Sequence, residues 1–277
     1  MEKKYELLTD KTIQVNGHTL YRIRALRDVG LVKAGSIGGY VESENNLSQF
    51  DNCWVYNDAK VYESASVYNN AEVCNRASVR GNARVYDEAC VDGHAIVDGC
   101  AVVHGRALVT NNAFVYGESN VYESAYVAGD SRVFGSANIC GRARITKFAE
   151  VHGAAQVYEH AMVSDHANVS GKARVYGNAA VFGEARVAGT CFLFGAAHIY
   201  RDAVLKTTSD YLTIGPIGSE EGTLTAWRDS INGVMVNRGC FIGSLTEFEI
   251  KVMSRHDGNI HGIMYGHAIA MIKAALA

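Results

Sequence analysis

Aliphatic residues recur at every sixth position from Val55 to Leu205, and this spacing dominates the hydrophobic pattern of the chain. The position is valine, isoleucine or leucine in all twenty-five hexads that begin at Val55 through Ile199. The residue four places later is alanine, with three exceptions: Ser119, Ser131 and Cys191. Such an uninterrupted period predicts a repeat fold, in which each unit buries its apolar face against its neighbours.

Each hexad predicts a short strand followed by a corner. In one unit, Ala65, Ser66, Val67 and Tyr68 alternate between inward and outward positions. The first of the two corner positions is glycine in fourteen hexads and asparagine or aspartate in six, and these residues tolerate a positive φ. A helix is excluded, because a period of six has no 3.6-residue face. Three equal sides close a triangular coil, and coils stack at roughly 4.8 Å.

This hexad, an aliphatic residue with a small residue two places before it, resembles the repeat of hexapeptide-repeat proteins. The resemblance covers about 150 of the 277 residues. It implies a left-handed parallel β-helix and an oligomer of three prisms around an axis. It does not assign a function, since acyltransferases and non-enzymatic scaffolds share this fold.

The regions that flank the repeat predict two smaller domains. A β-hairpin is predicted from residues 12–15 and 18–24, which are joined by Asn16 and Gly17. A glycine-rich loop is predicted over residues 30–40. The open end of a β-helix exposes unpaired backbone groups, so this hairpin is expected to cap it. The predicted fold is therefore mainly β, with an N-terminal cap (1–50), the β-helix (51–205) and a C-terminal domain (206–277).

The C-terminal domain is expected to be a small α+β unit. Its three predicted strands lie at residues 211–217, 223–228 and 233–238. Ser244 and Glu247 form a capping-box pattern that predicts a helix to about Arg255. A second helix is predicted over residues 260–275.

Both flanking regions also resemble parts of known proteins. Residues 26–28 (LRD) and 38–48 (GGYVESENNLS) resemble the opening of YdcK-like hexapeptide-repeat proteins of enterobacteria and their phages. Residues 213–219 (TIGPIGS) and 239–249 (GCFIGSLTEFE), followed by His256, resemble a C-terminal module of phage and prophage repeat proteins. The resemblance implies a phage-type protein with no assigned chemistry for this module.

Composition and charge narrow the possible partners. The net charge is −3 with no basic block, which disfavours nucleic-acid binding. No run of 18 apolar residues and no signal-peptide core occur, so a cytoplasmic protein without membrane contact is expected. The seven cysteines are irregularly spaced and include no CxxC pair, so neither a disulfide framework nor a metal site is predicted.

An outward row of aromatic residues predicts an interface. Residues eighteen apart fall on the same wall of the prism, and six of the eight outward positions after the aliphatic residue on the third wall are aromatic. A long exposed apolar row is usually covered, and a homotrimer would cover it. The alternative is ordinary stacking of aromatics along a ladder. The predicted interface residues are Tyr68, Tyr86, His104, Tyr122, Tyr158, Tyr176 and Phe194.

The sequence offers three catalytic candidates, His104, Cys240 and His256, and one anion site. His104 interrupts the aromatic row and would be the general base of a hexapeptide-type acyltransferase that uses coenzyme A. Such enzymes usually have a loop that interrupts the hexads, and none occurs here. Cys240 and His256 would form a nucleophile pair if the helix brings them together.

Arg238, with the backbone around Gly243 and Ser244 at a helix start, would bind an anion. His256, His261 and His267 are the histidines that could form a metal site in this domain. His261 and His267 are six residues apart, so they lie on different faces of a helix, which disfavours a shared metal ion.

The sequence therefore favours a non-enzymatic, oligomeric binding protein without a cofactor. One concrete hypothesis is counter-defence, by capture of a host nucleotide signal or of a host protein, because the outward tyrosines could stack on bases. The alternatives are an acyl- or acetyltransferase that binds coenzyme A and a structural assembly protein.

Overall fold

The computed structural model describes residues 3–229 and 231–276. It divides into two compact units, residues 1–153 and 154–277, and the boundary falls within the hexads. Parallel hexad strands, three to a coil, occur in both units. The second unit also contains an antiparallel sheet and two helices, so the predicted fold class is confirmed.

The first unit begins with a hairpin that extends the β-helix. Strands β1 (Tyr5–Val15) and β2 (His18–Ala25) pair antiparallel around Asn16 and Gly17, both at positive φ. Strand β3 (Ile37–Val41) pairs with β2 on one side and with a hexad strand on the other, where Val41 is opposite Val61. The hairpin therefore covers the end of the first coil, as predicted.

Strand β3 overlaps the end of the segment, residues 30–40, that the sequence indicated as a loop. Its two glycines obscured it, because glycine is rare in strands. Both are required by close approach: a Cβ on Gly38 would lie 2.7 Å from the carbonyl oxygen of Val55, and one on Gly39 would lie 2.6 Å from that of Ala59.

The hexad strands of the first unit form three walls, and the strands within each wall are parallel. Strands are numbered in chain order. The first wall comprises β4 (Trp54–Val55), β7 (Glu72–Val73), β10 (Cys90–Val91), β13 (Leu108–Val109), β16 (Tyr126–Val127) and β19 (Arg144–Ile145). The second comprises β5 (Lys60–Val61), β8 (Ser78–Val79), β11 (Ile96–Val97), β14 (Phe114–Val115), β17 (Arg132–Val133) and β20 (Glu150–Val151). The third comprises β6 (Ser66–Val67), β9 (Arg84–Val85), β12 (Val102–Val103), β15 (Asn120–Val121) and β18 (Asn138–Ile139).

The hexad strands of the second unit also form three walls, which are named by the same eighteen-residue spacing in the sequence. Its third-wall strands are β21 (Gln156–Val157), β24 (Arg174–Val175) and β27 (Phe192–Leu193). Its first-wall strands are β22 (Met162–Val163), β25 (Ala180–Val181) and β28 (His198–Ile199), and its second-wall strands are β23 (Asn168–Val169), β26 (Arg186–Val187) and β29 (Val204–Leu205).

Aliphatic and small side chains fill the interior of both units. The aliphatic hexad residues are at most 1 % exposed, and so are the alanines four places later. Aliphatic residues oppose each other in register across neighbouring coils, as Val73, Val91 and Val109 do. The small side chains fit where two walls converge and a larger side chain would not. The regular spacing of aliphatic and small residues therefore gives a closely packed interior.

Every first corner position of the twenty-five hexads has a positive φ. Glycine is needed most where corners stack, since a Cβ on Gly135 would lie 2.9 Å from the backbone nitrogen of Gly153. Two glutamates at this position gain a compensating bond, because the carboxylates of Glu63 and Glu123 accept from the N–H groups of Gly81 at 2.7 Å and Gly141 at 2.8 Å. The five residues here that are neither glycine, asparagine nor aspartate are Glu63, Glu123, Lys147, Glu159 and Arg201.

The second unit ends in a four-stranded antiparallel sheet and two helices. After a 3-10 helix (Thr208–Asp210), the strands are β30 (Tyr211–Ile217), β31 (Gly222–Asp229), β32 (Gly233–Arg238) and β33 (Phe241–Ser244). The helices are α1 (Leu245–His256) and α2 (Ile260–Leu276). Strand β33 was not predicted, because its sequence, Phe-Ile-Gly-Ser, indicated a turn into the helix.

This C-terminal sheet packs on the last coil and on the helices. The Tyr211 hydroxyl donates to the Phe192 carbonyl at 2.8 Å, and the His198 N–H donates to the Thr225 hydroxyl at 3.2 Å. A separate hydrophobic core joins the sheet to α1 and α2. In the part of the chain that the structure describes, no helix is long and apolar enough to cross a membrane.

Candidate functional site

A groove of about 420 Å³ opens on the C-terminal domain of the second unit, and we call it the C-terminal groove. It lies where the β30–β31 turn, the β32–β33 turn and helices α1 and α2 meet. It is lined by Ser219, Glu220, Arg238, Gly239, Cys240, Phe241, Phe248, Lys251, Val252, Arg255, His256 and Tyr265.

Three cationic side chains line this groove: Arg238, Lys251 and Arg255, which we call the groove cations. One carboxylate, that of Glu220, also lines it. Lys251 Nζ lies 5.1 Å from the centre of the Phe241 ring, a cation–π contact that holds the ammonium at the groove. The groove is therefore a positive region on a chain whose net charge is −3.

Arg238 is fixed beneath the β30–β31 turn. Its Nη2 donates to the Ile217 carbonyl at 2.6 Å, while its Nε is buried and has no hydrogen-bond partner among the described residues. Glycine makes room for the guanidinium, since a Cβ on Gly222 would lie 2.7 Å from Arg238 Nη1. A buried donor without a partner is costly, so this guanidinium favours an added acceptor.

Aromatic rings form the floor of the groove, the groove aromatics Phe241, Phe248 and Tyr265. The Phe248 centroid lies 5.3 Å from that of Phe241 and 5.6 Å from that of Tyr265. The His256 ring packs on Tyr265 at 5.6 Å. Rings packed against one another have few alternative rotamers, so the shape of this floor is fixed.

The structure places Arg238, Cys240 and His256 in this groove, but Gly243 and Ser244 lie outside its lining. Ser244 caps α1, and its N–H and hydroxyl donate to Glu247 Oε2 at 2.7 and 2.9 Å. These bonds lower the pKa of Glu247 and keep a carboxylate at the helix start. The anion predicted there is thus supplied by the chain itself, which confirms the capping box.

The structure does not join Cys240 and His256 into the nucleophile pair that the sequence suggested. Within the described residues, no hydrogen bond joins Cys240 to His256, and the His256 ring instead lies edge-on to that of His261 at 5.9 Å. The histidines of α1 and α2 do not form a metal-ligand set in the described part of the chain.

His104 lies in the aromatic row rather than in a pocket. Its ring stacks on Tyr86 at 4.8 Å and on Tyr122 at 5.1 Å, and its Nδ1 is 3.6 Å from the Asp87 carboxylate. In the second unit, Tyr176 stacks on Tyr158 at 4.9 Å and on Phe194 at 5.6 Å. The third-wall residues are half-buried, apart from the more exposed Phe194.

The second wall of the first unit carries another stack that sequence reasoning did not single out. The Tyr116 ring stacks on Phe134 at 4.9 Å, and Phe134 stacks on His152 at 4.7 Å. Aromatic stacking is therefore not unique to the predicted interface wall.

Sequence reasoning also missed most of the C-terminal groove. One signal was present: Phe248, Lys251, Val252 and Arg255 follow the i, i+3, i+4, i+7 spacing of one helix face. This spacing predicts a face with an apolar centre and a basic edge.

In comparisons with known proteins, no family model and no curated protein matches the sequence.

Proposed function

We propose that the chain is a non-enzymatic binding protein whose C-terminal groove takes a small anion with a planar ring, of the nucleotide class. One observation carries the proposal: three cationic side chains line the same groove as three aromatic rings. Guanidinium groups match phosphate oxygens in charge and geometry, and aromatic floors stack on bases.

The size and chemistry of the groove support binding rather than catalysis. Its volume of about 420 Å³ falls in the range of small-molecule pockets. Cys240, the nucleophile candidate that lines it, is exposed and has no hydrogen bond to His256 in the described residues. A nucleophile needs an adjacent base to be activated, so the groove lacks a complete catalytic pair.

Calorimetric titration with single nucleotides and cyclic dinucleotides tests this function. Lys251→Ala and Arg255→Ala are each expected to weaken binding about 10-fold, because each removes one partly exposed charge-assisted contact to phosphate. Binding should also weaken as salt concentration rises. Lys172→Ala is the matched control, since it removes an exposed lysine from a hexad corner of the same unit. Equal affinity in all three variants, or no binding by the unmodified protein, would contradict the proposal.

Native mass spectrometry of freshly purified protein separates the alternatives. An added mass of one nucleotide would support the groove proposal. The mass of bound coenzyme A would instead favour an acyltransferase.

The cellular role is a further part of the proposal. The resemblance of residues 38–48 and 239–249 to YdcK-like and phage repeat proteins supports a phage-encoded counter-defence protein that captures a host nucleotide signal. Failure to bind any cyclic nucleotide, together with recovery of a host protein, would favour capture of a protein partner. End-to-end assembly is disfavoured because the hairpin covers the first coil and the C-terminal sheet covers the last.

We also propose a homotrimer that forms through the third wall. Tyr86→Arg places a charge at the centre of that surface and is expected to shift the mass in sedimentation experiments from trimer to monomer. Tyr116→Arg is the matched control: this tyrosine is also half-buried and stacked, but it lies on the second wall. A monomeric unmodified protein, or dissociation by Tyr116→Arg alone, would exclude a third-wall interface.

A further inference from the structure

Two neighbouring strands on the first wall of the first unit carry side chains of the metal-ligand type. Glu72 and Cys74 lie on and just after β7, and Cys90 lies on β10 directly opposite Glu72. The same register places Asp92 beside Cys74. Alternate residues of a strand share a face, so all four point outward from the same wall.

Three of these side chains converge. The carboxylate oxygen of Glu72 and the sulfur atoms of Cys74 and Cys90 all lie within 4.8 Å of one another. They line a groove of about 480 Å³, which we call the first-wall groove. Its remaining lining residues are Leu31, Val32, Tyr56, Asn57, Asn75 and Asp92.

The charged residues among the described residues that line the first-wall groove are both acidic, Glu72 and Asp92. Neither lysine nor arginine is among the described residues that line the first-wall groove. The hydrogen bonds recorded for its carboxylates come from neutral groups: Tyr56 Oη donates to Glu72 at 3.2 Å, and Asn75 Nδ2 donates to Asp92 at 2.5 Å. The Tyr56 hydroxyl therefore orients the Glu72 carboxylate.

Both sulfur atoms belong to free, half-buried cysteines, and the thiolate is the metal-binding form of cysteine.

A disulfide is the competing use of two adjacent cysteines, but their positions disfavour it. Cys74 and Cys90 are diagonal neighbours on adjacent parallel strands. A strand spacing of about 4.8 Å and a rise of about 3.3 Å per residue separate diagonal Cα atoms by roughly 8 Å. Disulfides usually need less than about 6.8 Å, so a bond would require the backbone to move.

We propose that Glu72, Cys74 and Cys90 bind a thiophilic divalent cation of the zinc class. Two thiolates and one carboxylate supply three of the four ligands of a tetrahedral zinc site, and the soft sulfur ligands suit Zn²⁺ and disfavour Mg²⁺ and Ca²⁺. Asp92 is the nearest further anionic donor on this wall. Because Cys74 and Cys90 come from successive coils, the ion would cross-link the two coils.

Cobalt titration of the full-length chain tests the proposal. The protein is stripped with a chelator, kept reduced with a phosphine, titrated with Co²⁺ and then with Zn²⁺. We expect a thiolate-to-cobalt charge-transfer band that saturates at one ion per chain and is abolished by Zn²⁺. Zinc affinity should rise with pH, since binding releases the thiol protons.

Single substitutions identify the ligands. Cys74→Ser and Cys90→Ser should each lower zinc affinity by more than the roughly 10–100-fold cost of altering an outer-shell residue. Glu72→Gln should weaken binding but keep the charge-transfer band. Cys140→Ser is the matched control, because Cys140 is also half-buried and outward but lies on the third wall. All these positions point outward, so circular dichroism should show an unchanged fold.

Three results would overturn the proposal. The first is the lack of a charge-transfer band in the unmodified protein. The second is a loss of affinity in Cys140→Ser as large as that in Cys74→Ser. The third is an unreduced protein two hydrogens lighter, with a disulfide mapped between Cys74 and Cys90.

Discussion

Ala197→Leu is expected to destabilise the protein by about 3 kcal/mol, at the upper end of what overpacking usually costs. Ala197 is completely buried at the small position of its hexad, where two walls converge. Its carbonyl accepts the Ala180 N–H at 2.9 Å, and the next residue, His198, bonds to Thr225 of the C-terminal sheet. Three added carbon atoms therefore have no space on either side. Urea denaturation measures the loss.

The neighbouring residue provides the control for this prediction. Ala196 is exposed at the second corner position of the same coil. Ala196→Leu adds the same side chain to the surface, so it should change stability by no more than about 0.5 kcal/mol. Similar losses for the two variants would mean that the interior tolerates larger side chains than its packing indicates.

Lys4→Ala is expected to cost about 3 kcal/mol, because it removes hydrogen bonds from an ammonium to buried acceptors. Lys4 is fully buried beneath the N-terminal cap. Its Nζ donates to the carbonyl oxygens of Phe50 at 3.1 Å and Cys53 at 2.9 Å. The truncation leaves both carbonyls with fewer partners and opens a cavity. Thermal or urea denaturation would report the loss.

Lys3→Ala is the adjacent control. Lys3 is exposed and forms a surface ion pair with Glu44 at 2.7 Å, so its removal should cost less than about 1 kcal/mol. An equal loss from the two lysines would show that the buried ammonium contributes no more than a surface charge.

The burial of Lys4 also predicts a pH dependence. Burial lowers the pKa of its ammonium below 10.5, so the unfolded chain binds this proton more tightly than the folded chain does. The lysine contribution to stability must therefore increase as the pH rises towards 10.5. The difference in unfolding free energy between the unmodified protein and Lys4→Met should grow across this range. A constant or shrinking difference would contradict the prediction.

The repeat could be read from the sequence because each hexad encodes its own geometry. Val67 and Ala65 alternate with outward residues along a short strand, and Asn69 is a residue type that tolerates the positive φ of its corner. The capping box at Ser244 was predicted for the same reason, since its partner is three residues away.

Features that depend on distant neighbours could not be predicted in this way. Strand β3 exists because Gly38 and Gly39 allow close approach to the first coil, whereas glycine by itself indicates a loop. Strand β33 exists because Val236 and Gly243 pair across a short turn.

The two candidate sites could not be predicted from the sequence either, because each depends on residues that are distant along the chain. Cys74 and Cys90 are sixteen residues apart, and neither belongs to a CxxC pair that would indicate a metal site. They meet only because successive coils place Glu72 opposite Cys90. In the C-terminal groove, Arg238 was recognised by its residue type, but its contact with the β30–β31 turn required the tertiary fold.

The eighteen-residue coil also restricts how the length of this protein can change. Equivalent residues in successive coils are eighteen positions apart, as in the bond from Asn69 Nδ2 to Asp87 Oδ1 at 3.1 Å. Duplication or loss of eighteen residues would keep each later side chain on its own wall. A change of six residues would preserve every strand and corner but move all later residues to the next wall. Such a deletion between Tyr86 and His104 would separate those rings, so descendants of this gene should vary in length by whole coils.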